Sequence, residues 1–227
     1  MTLIDILKKV TIFENITPSQ LREIEKHLIA KKFNKGEDIF IEGETGNRFY
    51  IIETGRVKIY KISREGHIKI FDYLESGDFF GEMALLDRLP RSANAVATGD
   101  STLLHIPHDN FQKFLMKNPE IILIIARTLS HRLRKADREI KLFSFSNVRD
   151  RVIMCLINLS LRYGEQTDEG ILLPPYFTQQ EIADFVGTAR EVISRIFSEL
   201  KSKNLISKEK RNLIIKSVKN LKKQLIE

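Results

Sequence analysis

Cysteine is nearly absent: Cys155 is the one in 227 residues. That excludes an internal disulfide framework and an iron–sulfur cluster ligated by the cysteines of one chain. Cys155 lies among Val152, Ile153, Met154, Leu156 and Ile157 and reads as a small core residue. Long apolar runs are missing as well. None is longer than the six residues of Ile121–Ala126, far short of the ~18 residues that span a bilayer. Met1–Asn15 carries no cleavable-signal pattern, so no membrane association is expected and the protein is expected to be cytoplasmic. Nucleophile–base pairs, metal-ligand clusters and P-loops are not found either. No catalytic residue, metal site or enzymatic activity is therefore expected. His27, His67, His105, His108 and His131 show no pairing that would suit a haem. What the chain does have is charge. The formal net charge is +7, which favours an anionic partner. The length allows one or two domains, each with a proper core.

From about Asn118 to Phe145 there is no glycine, and Pro119 stands where a first helical turn tolerates it. Leu133, Ala136, Ile140 and Phe143 recur at spacings of three and four, and Leu129 and Ile125 extend the stripe upstream. The pattern predicts a helix of about 28 residues, roughly 40 Å long, with a narrow apolar seam. Arg127, Arg132, Arg134, Lys135, Arg138 and Lys141 keep the rest of its surface wet. Such a helix wants a partner helix, and the simplest is its own copy in a homodimer. The alternative is packing on its own domain.

Short helices are expected over Thr2–Val10 and Thr17–Ile29, the second with Thr17 as cap and Pro18 at its first position. Ala30–Pro107 has a different texture. Ile39–Ile41, Phe49–Ile52, Val57–Ile62 and Ile68–Leu74 alternate with Gly36, Gly43, Gly46, Gly55, Gly66 and Gly77. Strands this short with turns this regular predict a barrel or roll, and these glycines read as turn residues.

Gly81 is different. It opens a segment, Gly81-Glu82-Met83-Ala84-Leu85-Leu86, followed by Pro90-Arg91-Ser92-Ala93. Gly81 permits a close backbone approach, and a helical turn over Glu82–Leu86 would aim free N–H groups at an anion. Arg91 suits a phosphate bidentately, and Ser92 adds a donor. Glu82 would repel phosphate unless it accepts from sugar hydroxyls, so the set fits a ribose phosphate. The other reading is a plain Glu82–Arg91 pair.

The Phe80-Gly81-Glu82…Pro90-Arg91-Ser92-Ala93 run resembles the phosphate-binding cassette of cyclic-nucleotide-binding domains in the CRP/FNR family. The resemblance implies a β-roll with Glu82 on the ribose 2′-hydroxyl, Arg91 on the cyclic phosphate and Ser92 assisting. Gly81 would give a backbone contact, and Met83, Ala84 and Ala93 would line the site. cAMP or another cyclic nucleotide is the implied effector. In cAMP-binding relatives a Thr-Ser pair on the long helix reads adenine, and those positions fall here on Ala136 and Asp137. Ala136 offers no hydrogen bond, and ionised Asp137 can only accept. The ribose-phosphate end of the pocket is thus matched and the base-reading end altered.

A hinge is expected at Ser144–Asn147, with Asn147 capping a helix from Val148 to about Tyr163. Gly164–Gly170 reads as a turn and Ile171–Phe177 as extended. Thr178 and Glu181 form a capping-box pattern, a short helix ends at Gly187, and a second follows with Val192, Ile193, Ile196, Phe197 and Leu200 apolar. This is a helix-turn-helix pattern. Arg190, Glu191, Ser194 and Arg195 share the other face of the second helix, where base edges are read in a major groove. A charged solvated face is the plainer reading. Leu205–Ser207 and Leu213–Ile215, around Lys208–Asn212, suggest a wing. The run Thr178-Gln179-Gln180-Glu181-Ile182-Ala183…Arg190-Glu191…Arg195 resembles the winged helix-turn-helix of the same family. Base contacts then fall on Arg190, Glu191 and Arg195, and a palindrome near TGTGA–N6–TCACA is implied. Thr178, Gln179, Gln180 and Ala189 complete the expected DNA-binding set, although Ala189 stands where relatives often have a phosphate-holding Ser. Lys201, Lys203, Lys208, Lys210 and Arg211 are available for phosphates. Lys219–Glu227 reads as a short amphipathic helix or a frayed end.

The expected fold class is α+β: an N-terminal jelly-roll-like β-roll (1–117), a long dimerisation helix (118–145) and a C-terminal winged helix-turn-helix (146–227). Leu129, Leu133, Ala136, Ile140 and Phe143 are the expected dimer contacts. The expected function is an allosterically controlled transcription regulator, activator or repressor, with double-stranded DNA and RNA polymerase as partners. Two other readings stay open: the same regulator acting without nucleotide, and a nucleotide-binding regulatory subunit of an enzyme.

Overall fold

The computed structural model describes residues 3–8, 10–13, 16–209 and 212–225. They fall into two compact units: one runs to Lys61 and adds Phe71–Arg134, the other joins Ile62–Ile70 to the chain from Lys135 onward.

The first unit opens with α1 (Leu3–Leu7), a 3-10 turn (Thr11–Phe13) and α2 (Pro18–Glu25). Both helices are shorter than the sequence suggests, and Thr2 and Lys9 lie outside the described residues. Thr17 caps α2 in a complete box with Gln20. The helix stops early because Ile29 is already paired with His105 as a strand. The strands are β1 (Ile29–Phe33), β2 (Asp38–Phe40), β3 (Arg48–Thr54), β4 (Arg56–Ile62), β5 (Ile68–Glu75) and β6 (Phe79–Phe80). After α3 (Met83–Asp87) come β7 (Asn94–Ala97) and β8 (Ser101–Pro107), then α4 (His108–Lys117) and α5 (Pro119–Phe145). Two four-stranded sheets result, ordered β1-β8-β3-β6 and β2-β7-β4-β5, which is the expected roll.

Strand β3 shows how the roll is held. Side chains alternate across a strand, and both faces of β3 are buried. Phe49 and Ile51 join Phe79, Leu104 and Ile106 against Phe111, Phe114, Ile121 and Ile125 of the helices. Tyr50 and Ile52 turn the other way, to Phe33, Val57, Leu74, Phe80 and Leu103. Phe49 stacks on Phe111 with ring centroids 4.3 Å apart. Each large side chain so buried contributes roughly 1.5–3 kcal/mol.

Helix α5 is 27 residues long, matching the expected span. Its seam needs one correction. Ile125 is 2% exposed and belongs to the roll's own core, with Leu129 partly buried against the same cluster. Leu133 and Ile140 remain 63% exposed and Phe143 42%. Upstream, Ile122 and Ala126 are exposed, and they stand seven residues before Leu129 and Leu133. The line 122, 126, 129, 133, 136, 140, 143 is a strict heptad, exposed at every position but Leu129.

In the second unit Asn147 caps α6 (Val148–Tyr163), accepting from the Asp150 amide. Residues 164–170 are more than a turn: β9 (Glu165–Thr167) pairs with β10 (Gly170–Leu173). Then come α7 (Gln179–Val186), α8 (Arg190–Ser202), β11 (Ile206–Glu209), β12 (Asn212–Ile215) and α9 (Val218–Lys222). The wing extends into a sheet ordered β11-β12-β10-β9. Lys210 and Arg211, at its tip, lie outside the described residues. The tail is docked rather than frayed: Leu221 is 0% exposed, and Arg149 donates to the Gln224 carbonyl at 2.8 Å. Cys155 is only partly buried, not enclosed as expected. Burial still pushes its thiol up to about 12, where it stays protonated and unreactive.

Candidate functional site

Strand β6 delivers the chain to Gly81, whose φ of +80° is a conformation other residues resist. A β-carbon there would also lie 2.8 Å from Nη1 of Arg91 and 3.2 Å from the Arg48 carbonyl. Glycine is thus required for both conformation and space. Glu82 follows as the N-cap residue of α3, so the first amides of the short helix have no partner within it. The helix ends on Arg88 at a left-handed φ of 59°, and Pro90 leads back to Arg91.

Arg91 is 5% exposed. Its Nη1 donates to the Gly81 carbonyl at 2.9 Å and its Nη2 to the Arg48 carbonyl at 2.8 Å. The guanidinium lies 4.2 Å from the centroid of the Phe40 ring, which holds it flat. Burial pushes its pKa down, and Tyr50, Glu82 and Glu44 push back. An arginine keeps its charge under such a load. Two of its five N–H groups are used on carbonyls, and among the described residues the rest have no hydrogen-bond acceptor and can serve an anion.

Glu82 is 1% exposed and does not pair with Arg91. Its Oε1 accepts from Nη1 of Arg132 on α5, and Nη2 of Arg132 donates to the Phe79 carbonyl at 2.8 Å. Oε2 of Glu82 is buried without a hydrogen-bond partner among the described residues. Buried carboxylate oxygens are rarely left so, and this one can accept from a hydroxyl. Arg132 was legible only as one cation on a wet helix. Its signal was the helical spacing: it precedes Ala136 by four residues, which puts both on one face.

Gly46 was also misread as a turn glycine. Its φ is ordinary, but a β-carbon would sit 2.4 Å from that of Ala84 and 3.0 Å from Cζ of Arg91. It lets the 44–47 loop press on the back of the cradle. Ala84 and Ala93 are buried there, at 5% and 8% exposed. Met83 and Ser92 are exposed and meet across the loop, with Ser92 Oγ 3.7 Å from the Met83 sulfur. Ala136 and Asp137 are exposed on α5, in the second unit.

In the second unit Thr178 caps α7 by accepting from the Glu181 amide. Gly187 ends the helix at φ 70°, its amide donating to the Ala183 carbonyl at 2.8 Å. Ala189 is the N-cap of α8 and contributes no side-chain bond, so the position lacks a capping hydroxyl as well as a phosphate donor. Ile193, Ile196, Phe197 and Leu200 are buried while Arg190, Glu191, Ser194 and Arg195 are all exposed. Gln179 is partly buried, and Gln180 donates to Asp184 at 2.8 Å. Helix α8 is held from behind. Arg149 on α6 forks onto the Glu199 carboxylate at 2.9–3.2 Å, and Lys203 adds a bond at 2.8 Å. These hydrogen bonds hold Glu199 down to about 2. Lys203 is therefore engaged by Glu199, although it is exposed like Lys201 and Lys208.

Comparison with known proteins agrees with this geometry. Residues 30–118 match the cyclic nucleotide-binding domain family, and residues 150–224 match the Crp-like helix-turn-helix domain. The two together define a class, the transcription regulators that join a nucleotide-binding roll to a DNA-binding helix-turn-helix. The Cyclic AMP receptor protein of Thermus thermophilus is 31% identical over 202 residues, 88% of this chain and 89% of that one. The CRP-like cAMP-activated global transcriptional regulator of Mycobacterium tuberculosis is 29% identical over 217 residues, 96% and 97% of the two chains. The protein belongs to the CRP/FNR family. Its fold is shared by the c-di-GMP responsive regulator CLP of Xanthomonas campestris, at a TM-score of 0.79 and 22% identity over 88% of this chain and 100% of that one. No helix among the described residues is long and apolar enough to cross a membrane.

Proposed function

We propose that the protein is a homodimeric regulator that reads a palindromic site in double-stranded DNA under the control of a cyclic nucleotide held by Glu82 and Arg91. One observation carries the reading: a buried carboxylate oxygen of Glu82 that has no partner among the described residues, in the same cradle as a buried Arg91 with N–H groups to spare. An acceptor for a sugar hydroxyl and donors for a phosphate are what a ribose cyclic phosphate requires. The relatives' responses to cAMP support the same ligand class. The exposed heptad line of α5 supports pairing with a second copy. Exposed Arg190, Glu191 and Arg195 support reading of a TGTGA-like half-site, two of them about one DNA turn, ~34 Å, apart. No catalytic step is assigned to the cradle, and RNA polymerase is the proposed partner on the promoter.

A thermal-shift screen of cyclic mono- and dinucleotides tests this directly. A hit should raise the melting temperature, tighten binding to a TGTGA–N6–TCACA duplex, and vanish in Arg91→Leu. Reciprocity requires the duplex to tighten nucleotide binding by the same factor. Equal nucleotide affinity for free and DNA-bound protein overturns the allosteric part. Ala136 and Asp137 favour one rival, the same DNA binder without a nucleotide. DNA affinity unmoved by every cyclic nucleotide tested is the result that selects it.

A further inference from the structure

The compact unit that contains the helix-turn-helix also contains residues 62–70, the end of the β4–β5 hairpin. One side chain there makes two polar contacts within that unit. Lys69, at the start of β5, donates from Nζ to the Phe185 carbonyl at 2.6 Å. It also pairs with Glu139 of α5 at 3.0 Å. Phe185 is the penultimate residue of α7, so its carbonyl is among the last four, which lack a partner within the helix. These carbonyls carry the negative end of the helix dipole, and a cation there is favoured.

The surroundings make this a fitted joint. Lys69 and Glu139 are only 26% and 28% exposed, so salt screens them less than a surface pair. The Phe143 ring lies beside both Lys69 and Arg151, its centroid 5.2 and 4.8 Å from the two cations. A β-carbon on Gly187 would lie 3.2 Å from the same ring. The turn between α7 and α8 therefore rests on Phe143 while Lys69 holds the helix end above it.

Helix α5 carries a second pair of the same kind. Arg132 meets Glu82 of the cradle, and Glu139 meets Lys69. The two positions are seven residues apart, which places them on one face of the helix about 10 Å apart along its axis. From Lys69 the chain runs through β5 and β6 to Glu82.

We propose that Lys69 is a pin joining the hairpin, the long helix and the helix-turn-helix, and that the effector's control of DNA affinity passes through it. The second half of this rests on the nucleotide-controlled reading given above; the pin itself does not.

The chain supplies its own reporter. Cys155 is the only thiol; burial holds its pKa up, Lys69 lowers it and Glu139 raises it, so loss of the Lys69 charge by itself slows thiolate attack and only an opening of the joint speeds it. The test uses the full-length protein, with cAMP and cGMP as probes and the TGTGA–N6–TCACA duplex. Lys69→Met keeps the apolar stem and removes the donors. Without DNA or nucleotide, the reaction of Cys155 with Ellman's reagent should speed up at least about tenfold in this variant. Lys69→Arg should restore the wild-type rate. The ratio of duplex affinities with and without nucleotide should fall to about one in Lys69→Met. An unchanged or slower thiol rate in Lys69→Met overturns the pin. A faster thiol with the wild-type affinity ratio overturns the coupling. If neither nucleotide moves the wild-type protein, the effector reading fails instead, and the thiol rate alone decides the pin.

Discussion

The carboxylate of Glu82 holds the guanidinium of Arg132, fifty residues further along the chain, at 2.5 Å. The cradle and the stretch of the long helix up to Arg134 are thereby tied together. Glu82 is buried and Arg132 about a third exposed, so removing the arginine strands a charge in the interior. Losing one partner of a buried pair costs about 3–5 kcal/mol, and the exposure of Arg132 puts this case near the lower figure. Arg132→Met should lower the urea midpoint accordingly, and Glu82→Gln in the same background should recover most of the loss. A double-mutant cycle measures the coupling.

Two glycines should behave differently from a third. Gly81→Ala meets a left-handed φ and a backbone carbonyl at once, and the loss should exceed about 2 kcal/mol. Gly46→Ala meets the β-carbon of Ala84 without any strain in φ. It should cost about 1–3 kcal/mol as overpacking and weaken binding at Arg91. Gly36 has φ +86° and open space around it, so Gly36→Ala should cost only about 1 kcal/mol. Chemical denaturation of the three variants ranks them.

Acid should act in two windows. His105 is 6% exposed, and burial, with Arg48 and Lys31 nearby, lowers its pKa from the ordinary 6.5. The unfolded chain then binds a proton that the folded one refuses. Stability is whole above 6.5 and falls as pH drops below it. Glu199, held at about 2, stabilises above its ordinary 4.5 and loses that contribution as pH falls between the two values. Its side chain is 37% exposed, so screening keeps the loss near ~1 kcal/mol. Unfolding free energies across pH should show both slopes, with His105→Gln flattening the first and Arg149→Met the second.

Leu133→Glu and Ile140→Glu should turn a dimer into a monomer in sedimentation. Both positions are 63% exposed in the single chain, so monomer stability should change by less than ~0.5 kcal/mol. Loss of the second reading head should weaken palindrome binding by at least about a hundredfold. A monomeric variant with full affinity would show that pairing through α5 is not used.

Elements set by local periodicity and caps were legible in the sequence. Helix α5, the Asn147 cap, the turn at Gly187 and the strand runs of the roll all stand within a few residues of their expected places. What escaped depends on neighbours distant in sequence. Ile125 fits a seam by spacing, yet the roll's core claims it. Residues 165–167 have turn composition, yet β10 offers them an edge. Gly46 looks like any turn glycine until Ala84 arrives behind it. In the cradle, Gly81, Glu82 and Arg91 were legible because they form one contiguous motif. Arg132 was not, because its role depends on a carboxylate fifty positions away.

Arg149 binds the Gln224 carbonyl and Glu199 together. The module that begins at Asn147 is therefore laced shut where it started, like a purse with its strings drawn to one point. Opening it elsewhere, at the 167–170 bend for instance, and splicing residue 225 to residue 147 would leave every layer in place. A circular permutant of this kind is a practical way to study the DNA-reading head detached from its sensor.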